Sequence, residues 1–202
     1  MPNDISFTRR GLLAASLSGA LIAALPRPAA ALDDAQAKAL VGQALAEIDA
    51  TINSGKSETA MYGDFERIFA RYADVPVIAR SVLGPPAKTA SAAQMSAFTK
   101  AYQGYLSRKY GRRFREFIGG RIEVTGAKPV KSYYEVVSVA YLKGEAPFDL
   151  RWYVSDKSGK NLFFNIIIEG VNMLSSERTE IGAMLDQNGG SIDKLIAQLN
   201  KS

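Results

Sequence analysis

The chain has 202 residues, a formal net charge of +5, and neither His nor Cys. Without those two residue types, disulfides, thiol nucleophiles, His-based triads and His/Cys zinc sites are excluded. An enzyme would be left with carboxylate-pair or Ser/Lys chemistry.

Arg9-Arg10 precede an apolar run over residues 11–25, then Pro26 and the small residues Ala29-Ala30-Ala31. A basic start, a short apolar stretch and an A-x-A site predict a cleaved export signal over residues 1–31. Its 15-residue run is short for a bilayer span, which needs about 20. Thr8-Arg9-Arg10-Gly11-Leu12-Leu13 also resembles a twin-arginine signal; a general secretory signal with two arginines is the alternative. Either route leads out of the cytoplasm, to a bacterial periplasm. The leader holds three Arg and one Asp, leaving 22 basic and 19 acidic residues. That mild balance does not call for nucleic acid. Residues 32–202 are expected to form one domain stabilised by its core alone.

Residues 33–54 carry Leu40, Val41, Ala44, Leu45, Ile48 and Ile52 at helical spacing, with Asp33 or Asp34 as cap. A second helix is predicted over 61–72, with Phe65, Ile68, Phe69 and Tyr72 on one side. Asp74 caps a short third helix that Leu83-Gly84 and Pro85-Pro86 close. Ser91 caps the longest predicted helix, residues 92–118. Met95, Phe98, Tyr102, Tyr105, Leu106, Tyr110, Phe114 and Phe117 recur along it at three and four. Its other face is basic: Lys100, Arg108, Lys109, Arg112, Arg113 and Arg115. That cluster reads either as a solvated helix end favoured by the dipole or as a docking surface for an acidic partner or anionic lipid.

Gly119-Gly120 hands over to strands. Residues 121–125 alternate and residues 133–142 are rich in Val and Tyr, with a turn expected over 126–129. Phe148, Leu150, Trp152 and Val154 give the next strand one apolar face. A polar loop over 155–160 leads to Leu162, Phe164, Ile166 and Ile168, read as the matching face of a fourth strand. A helix over 177–186, capped by Ser175 or Ser176, and a last one capped by Ser191 complete the chain. Helices, a four-stranded antiparallel meander, then helices predict an α+β domain, with helices on the concave side of a curved sheet.

No carboxylate pair can be placed across the apolar face, and no acid spacing makes a metal site. The predicted catalytic, metal and cofactor inventories are empty. Aromatic bulk instead faces itself across the sheet and the long helix. One layer of core has limited room for it, so either a solid core or a channel for an elongated apolar ligand fits.

Five segments carry a family resemblance: FERIFARYADVPVIARSVLG (65–84), FTKAYQGYLSRKYGRRFREFIG (98–119), FDLRWYV (148–154), IIIEGVNMLSSER (166–178) and GGSIDKLIAQL (189–199). Together they resemble the MlaC / Ttg2D (toluene tolerance) family of periplasmic phospholipid-binding proteins. Asn165 stands where that family commonly has Asp, and Asn172 where it commonly has Ser. The resemblance implies an NTF2-like cone that encloses an apolar cavity, with acyl chains inside and the headgroup facing out. It also implies a monomeric, non-enzymatic carrier, moving phospholipid between an outer-membrane lipoprotein complex and an inner-membrane ABC transporter to maintain lipid asymmetry. The expected lipid-binding residues are Phe98, Tyr102, Tyr105, Leu106, Val137, Val139, Phe148, Leu150, Trp152, Phe164, Ile166, Ile168 and Val171. A hopanoid-associated relative and a protein-interaction module without lipid are the alternative readings.

Overall fold

In a computed structural model, which describes residues 31–113 and 117–202, the chain runs through helices, an antiparallel sheet and two closing helices. Residues 1–30 of the expected leader, with Arg9 and Arg10, lie outside the described residues, as do Phe114 and Arg115. Among the described residues, no helix is long and apolar enough to cross a membrane.

The helical part holds α1 (Asp34–Ile52), α2 (Glu58–Tyr72), α3 (Val75–Leu83), a 3-10 turn (Pro85–Lys88) and α4 (Ala92–Gly111). Local chemistry sets their starts. Asp33 and Gln36 form a reciprocal capping box at α1, and Ser91 with Gln94 repeats it at α4. Ser57 caps α2 and starts it at Glu58, three residues before the apolar pattern predicted. Asp74 caps α3, with Pro76 in the first turn, where a missing N–H costs nothing. The long helix ends at Gly111, not at 118. There the glycine meets the Tyr62 ring so closely that an added Cβ would stand 2.7 Å from it.

The sheet has five strands in sequence order, one more than expected: β1 (Arg121–Val130), β2 (Tyr133–Tyr141), β3 (Phe148–Ser155), β4 (Leu162–Ile168) and the short β5 (Val171–Asn172). All neighbours are antiparallel. The turn expected over 126–129 is strand: β1 runs on to Val130, and the chain reverses at Lys131, whose φ is 52°. Pro129 is tolerated because β1 is an edge strand. Thr125 is the extra residue of a bulge, and a second bulge lies between Phe163 and Asn165 opposite Tyr153 and Val154. Bulges of this kind bend a strand and sharpen its twist.

One sheet face is set by cross-strand rows. Val136, Trp152 and Ile166 form one, and Ser138, Leu150 and Ile168 the next. Ile122, Val124 and Ala127 of β1 extend this face toward α1. Helix α5 (Met173–Gln187) then packs beside α3, and α6 (Ile192–Leu199) against α4. Leu195 and Leu199 of α6 are fully buried.

Candidate functional site: an apolar cavity with a polar rim

The inner sheet face does not close on the helices. Between them lies a cavity of ≈ 580 Å³. Its sheet wall is Phe148, Leu150, Trp152, Phe163, Ile166 and Ile168. Leu45 and Ile48 of α1, Phe65, Ile68 and Phe69 of α2, and Ile78 of α3 line the opposite side, with Tyr102, Leu106 and Tyr110 of α4. The Trp152 indole is pinned inside this wall. Its N–H donates to Ser138 Oγ at 2.9 Å, and its ring meets Phe163 edge-on at 5.3 Å.

Where the lining reaches solvent it is formed by Arg113, Glu145, Glu169, Ser176 and the 53 % exposed Val171, which make up a rim. Glu169 (φ 50°) and Gly170 (φ 81°) make the tight turn from β4 to β5 that shapes it. Gly170 has the conformational freedom that such a turn requires.

Of the expected lipid-binding residues, Tyr102, Leu106, Phe148, Leu150, Trp152, Phe164, Ile166, Ile168 and Val171 line the cavity. The other four do not. Val137 and Val139 pair with Arg151 and Asp149 and share the opposite face of the sheet, because strand neighbours alternate. The inward residues of β2 are Tyr134, Val136, Ser138 and Ala140. Phe98 is fully buried and stacks on Tyr102 at 5.8 Å, and Tyr105 turns toward α5. On α4 the cavity-facing stripe is Tyr102, Leu106 and Tyr110, one residue every four. Phe164 is the extra residue of the second bulge. It reaches the lining and also meets Tyr133 at 5.6 Å and Tyr153 at 6.0 Å. Phe163 takes the inward place that strict alternation would have given it.

Behind the wall lies a polar cluster that the residue pattern did not disclose. Glu177, 4 % exposed, accepts from Lys109 Nζ at 2.7 Å, Tyr110 Oη at 2.5 Å and Tyr102 Oη at 3.3 Å. Lys109 also reaches Glu180 at 2.5 Å, and Tyr105 donates to Glu180. Burial opposes the charge on Lys109, but its two carboxylate partners outweigh that and raise its pKa. Burial, and then the hydrogen bond to Glu180, pushes the Tyr105 phenol up to about 12. Burial first, then Glu177, pushes Tyr102 and Tyr110 up as well. Glu177 lines the cavity, yet its oxygens accept from Lys109, Tyr110 and Tyr102. Within the cluster, then, the buried carboxylate faces the cavity with its hydrogen-bond partners in place. The available signal was the i, i+3 acid pair Glu177 and Glu180, together with tyrosines on α4.

The basic residues expected on one helix face are engaged in different ways, and Arg112 and Arg113 lie beyond the end of α4. Arg108 donates to the Leu199 and Ser202 carbonyls, both at 2.6 Å, and so holds the C-terminus. Lys109 is in the cluster above, and Arg113 is on the rim. Asn165 is buried: its Oδ1 accepts from the Ile166 and Leu174 amides, and its Nδ2 donates to Asn172. Among the described residues, no group of three or more acidic side chains could hold a metal ion.

Fold and site together define an α+β binding domain closed around an apolar cavity. The sequence profile of the MlaC protein family matches residues 38–201, and the chain belongs to that family. A similar solved structure is a phospholipid-binding protein from Ralstonia solanacearum in complex with a phospholipid. It shares 18 % identity with a TM-score of 0.68, over 81 % of this chain and 98 % of that one, and so the same fold.

Proposed function

We propose that this protein is a periplasmic phospholipid carrier. The acyl chains occupy the cavity, the headgroup stays at the rim formed by Arg113, Glu145 and Glu169, and residues 1–31 are the export signal that is removed. As a monomer it shuttles lipid between an outer-membrane lipoprotein complex and an inner-membrane ABC transporter, and so maintains lipid asymmetry. The observation that carries this reading is the 580 Å³ apolar cavity, whose buried carboxylate Glu177 is already paired. Membership of the MlaC family and the phospholipid held by the Ralstonia protein support it.

Energetics explain the need for a carrier. Each CH₂ removed from water gains about 0.8 kcal/mol, so a sixteen-carbon chain gains on the order of 12 kcal/mol. A free lipid of that kind does not cross an aqueous compartment at a useful rate. Release requires a partner that opens the cavity or offers equal apolar surface.

The test is uptake of phospholipid from donor vesicles by delipidated protein. Wild type is expected to load, whereas Leu150→Arg and Ile168→Arg place a charge in the cavity and block loading. Val139→Arg, on the opposite sheet face, is expected to load normally. Refusal of lipid by folded wild-type protein would overturn the reading, as would normal loading of both cavity variants.

A further inference from the structure

Two of the segments that carry the family resemblance meet at a place the cavity does not use. Ile78 of α3 and Glu177 of α5 face the cavity, but Arg80 and Arg178, on the same helices, face a second cleft of ≈ 320 Å³. Lys88, from the 3-10 turn, completes a set of three cations there, over a floor of Pro85 and Ala87. No acidic side chain lines this cleft. Among the described residues, none of the three cations has an acidic partner within ion-pair distance.

The cleft is shaped for a cation to stay in it. The Arg178 guanidinium lies over Gly84, 3.3 Å from where a Cβ would stand. Gly84 also has φ 69°, so a side chain there is disfavoured by conformation as well as by space. Three like charges from three elements are thereby held around one concave space at a cost in mutual repulsion.

We propose that this cleft is a phosphate-binding site. A phosphate monoester offers three acceptor oxygens and about 1.5 to 2 negative charges. Guanidinium forks pair with phosphate through parallel hydrogen bonds, and a lysine adds a point charge. A carboxylate, with one charge and two oxygens, leaves part of such a set unmet. The phosphate comes from solution or from a lipid headgroup. In either case it bridges Arg80 and Arg178, and ties α3 to α5 on the outer side of the cavity wall. The proposal does not depend on the cavity holding lipid.

The experiment is a titration of the ¹⁵N-labelled protein with inorganic phosphate at constant ionic strength, with chloride as the control. Saturable shifts centred on the Gly84 amide and the Arg178 side chain are expected, together with a rise in Tm. Arg80→Gln and Arg178→Gln are each expected to weaken binding about tenfold, and the double variant to abolish it. Both residues are exposed, so the variants are expected to fold. A second arm measures co-sedimentation with phosphatidylcholine vesicles with and without phosphatidic acid. Phosphate-competed binding to the phosphatidic acid vesicles supports a headgroup as source, and phosphate shifts without vesicle binding support free phosphate. Absence of saturable shifts, shifts that persist in the double variant, or tighter binding of a hexaglutamate peptide would overturn the proposal.

Discussion

At Glu177 one carboxylate takes hydrogen bonds from a lysine and two tyrosines, beside an apolar cavity. Burying a charge is expensive unless it is paired and its lone pairs are occupied, and both conditions hold here. The consequence is asymmetric. Lys109→Met leaves the Glu177 charge without its cation and is expected to cost about 3 kcal/mol in urea unfolding. The double variant Lys109→Met/Glu177→Gln removes both charges and is expected to recover most of that loss. Equal destabilisation in the single and double variants would contradict this account of the cluster. Spacing offered only the Glu177/Glu180 pair and the α4 tyrosines. The hydrogen bonds between α5 and α4 are what bring Glu177 to Lys109.

At the scale of elements, the helices were legible where caps and apolar stripes coincide. Asp33, Asp74, Ser91 and Ser191 all cap as their positions suggested. Helix α5 was misplaced by four residues, because its cap is Asn172 rather than a serine. Asn172 Oδ1 accepts from the Ser175 amide and from Asn165 Nδ2, and so joins β4, β5 and α5. Asn172→Ala is therefore expected to cost about 1 to 2 kcal/mol by chemical denaturation. Ser175→Ala, at the position the sequence pattern favoured, is expected to change stability by less than about 0.5 kcal/mol. The reverse order would contradict this placement of the cap. The strand β3 was legible from alternation and β2 from its Val and Tyr content, but the bulges were not. One extra residue reverses the facing of everything beyond it, which is why Phe163 is inward where Phe164 was expected. Val137 and Val139 were placed on the wrong face for a simpler reason. In residues 136–140 both faces carry small or β-branched residues, so alternation does not distinguish them. The α1 and α2 side of the cavity was visible as apolar stripes, but a stripe reads the same over a solid core as over a void.

For the whole molecule, the tyrosine–lysine cluster sets an alkaline limit. Burial, and then the hydrogen bond to Glu180, raises Tyr105 to about 12 in the folded state. An unfolded chain releases the tyrosine proton near 10. Below that value both states keep the proton and the contribution is fully present. As pH rises from about 10 to 12 only the unfolded chain loses it, so stability falls. The raised pKa of Lys109 acts in the same direction. Tm is therefore expected to drop steeply above about pH 10, and less steeply in Tyr105→Phe; identical slopes would contradict the assignment. What fills the cavity is decided by organic extraction of the purified protein followed by mass spectrometry. Phospholipid is expected near one molecule per protein, and is expected to be absent from folded Ile168→Arg. Folded wild-type protein that yields no lipid, and takes none up when offered, would contradict the carrier reading.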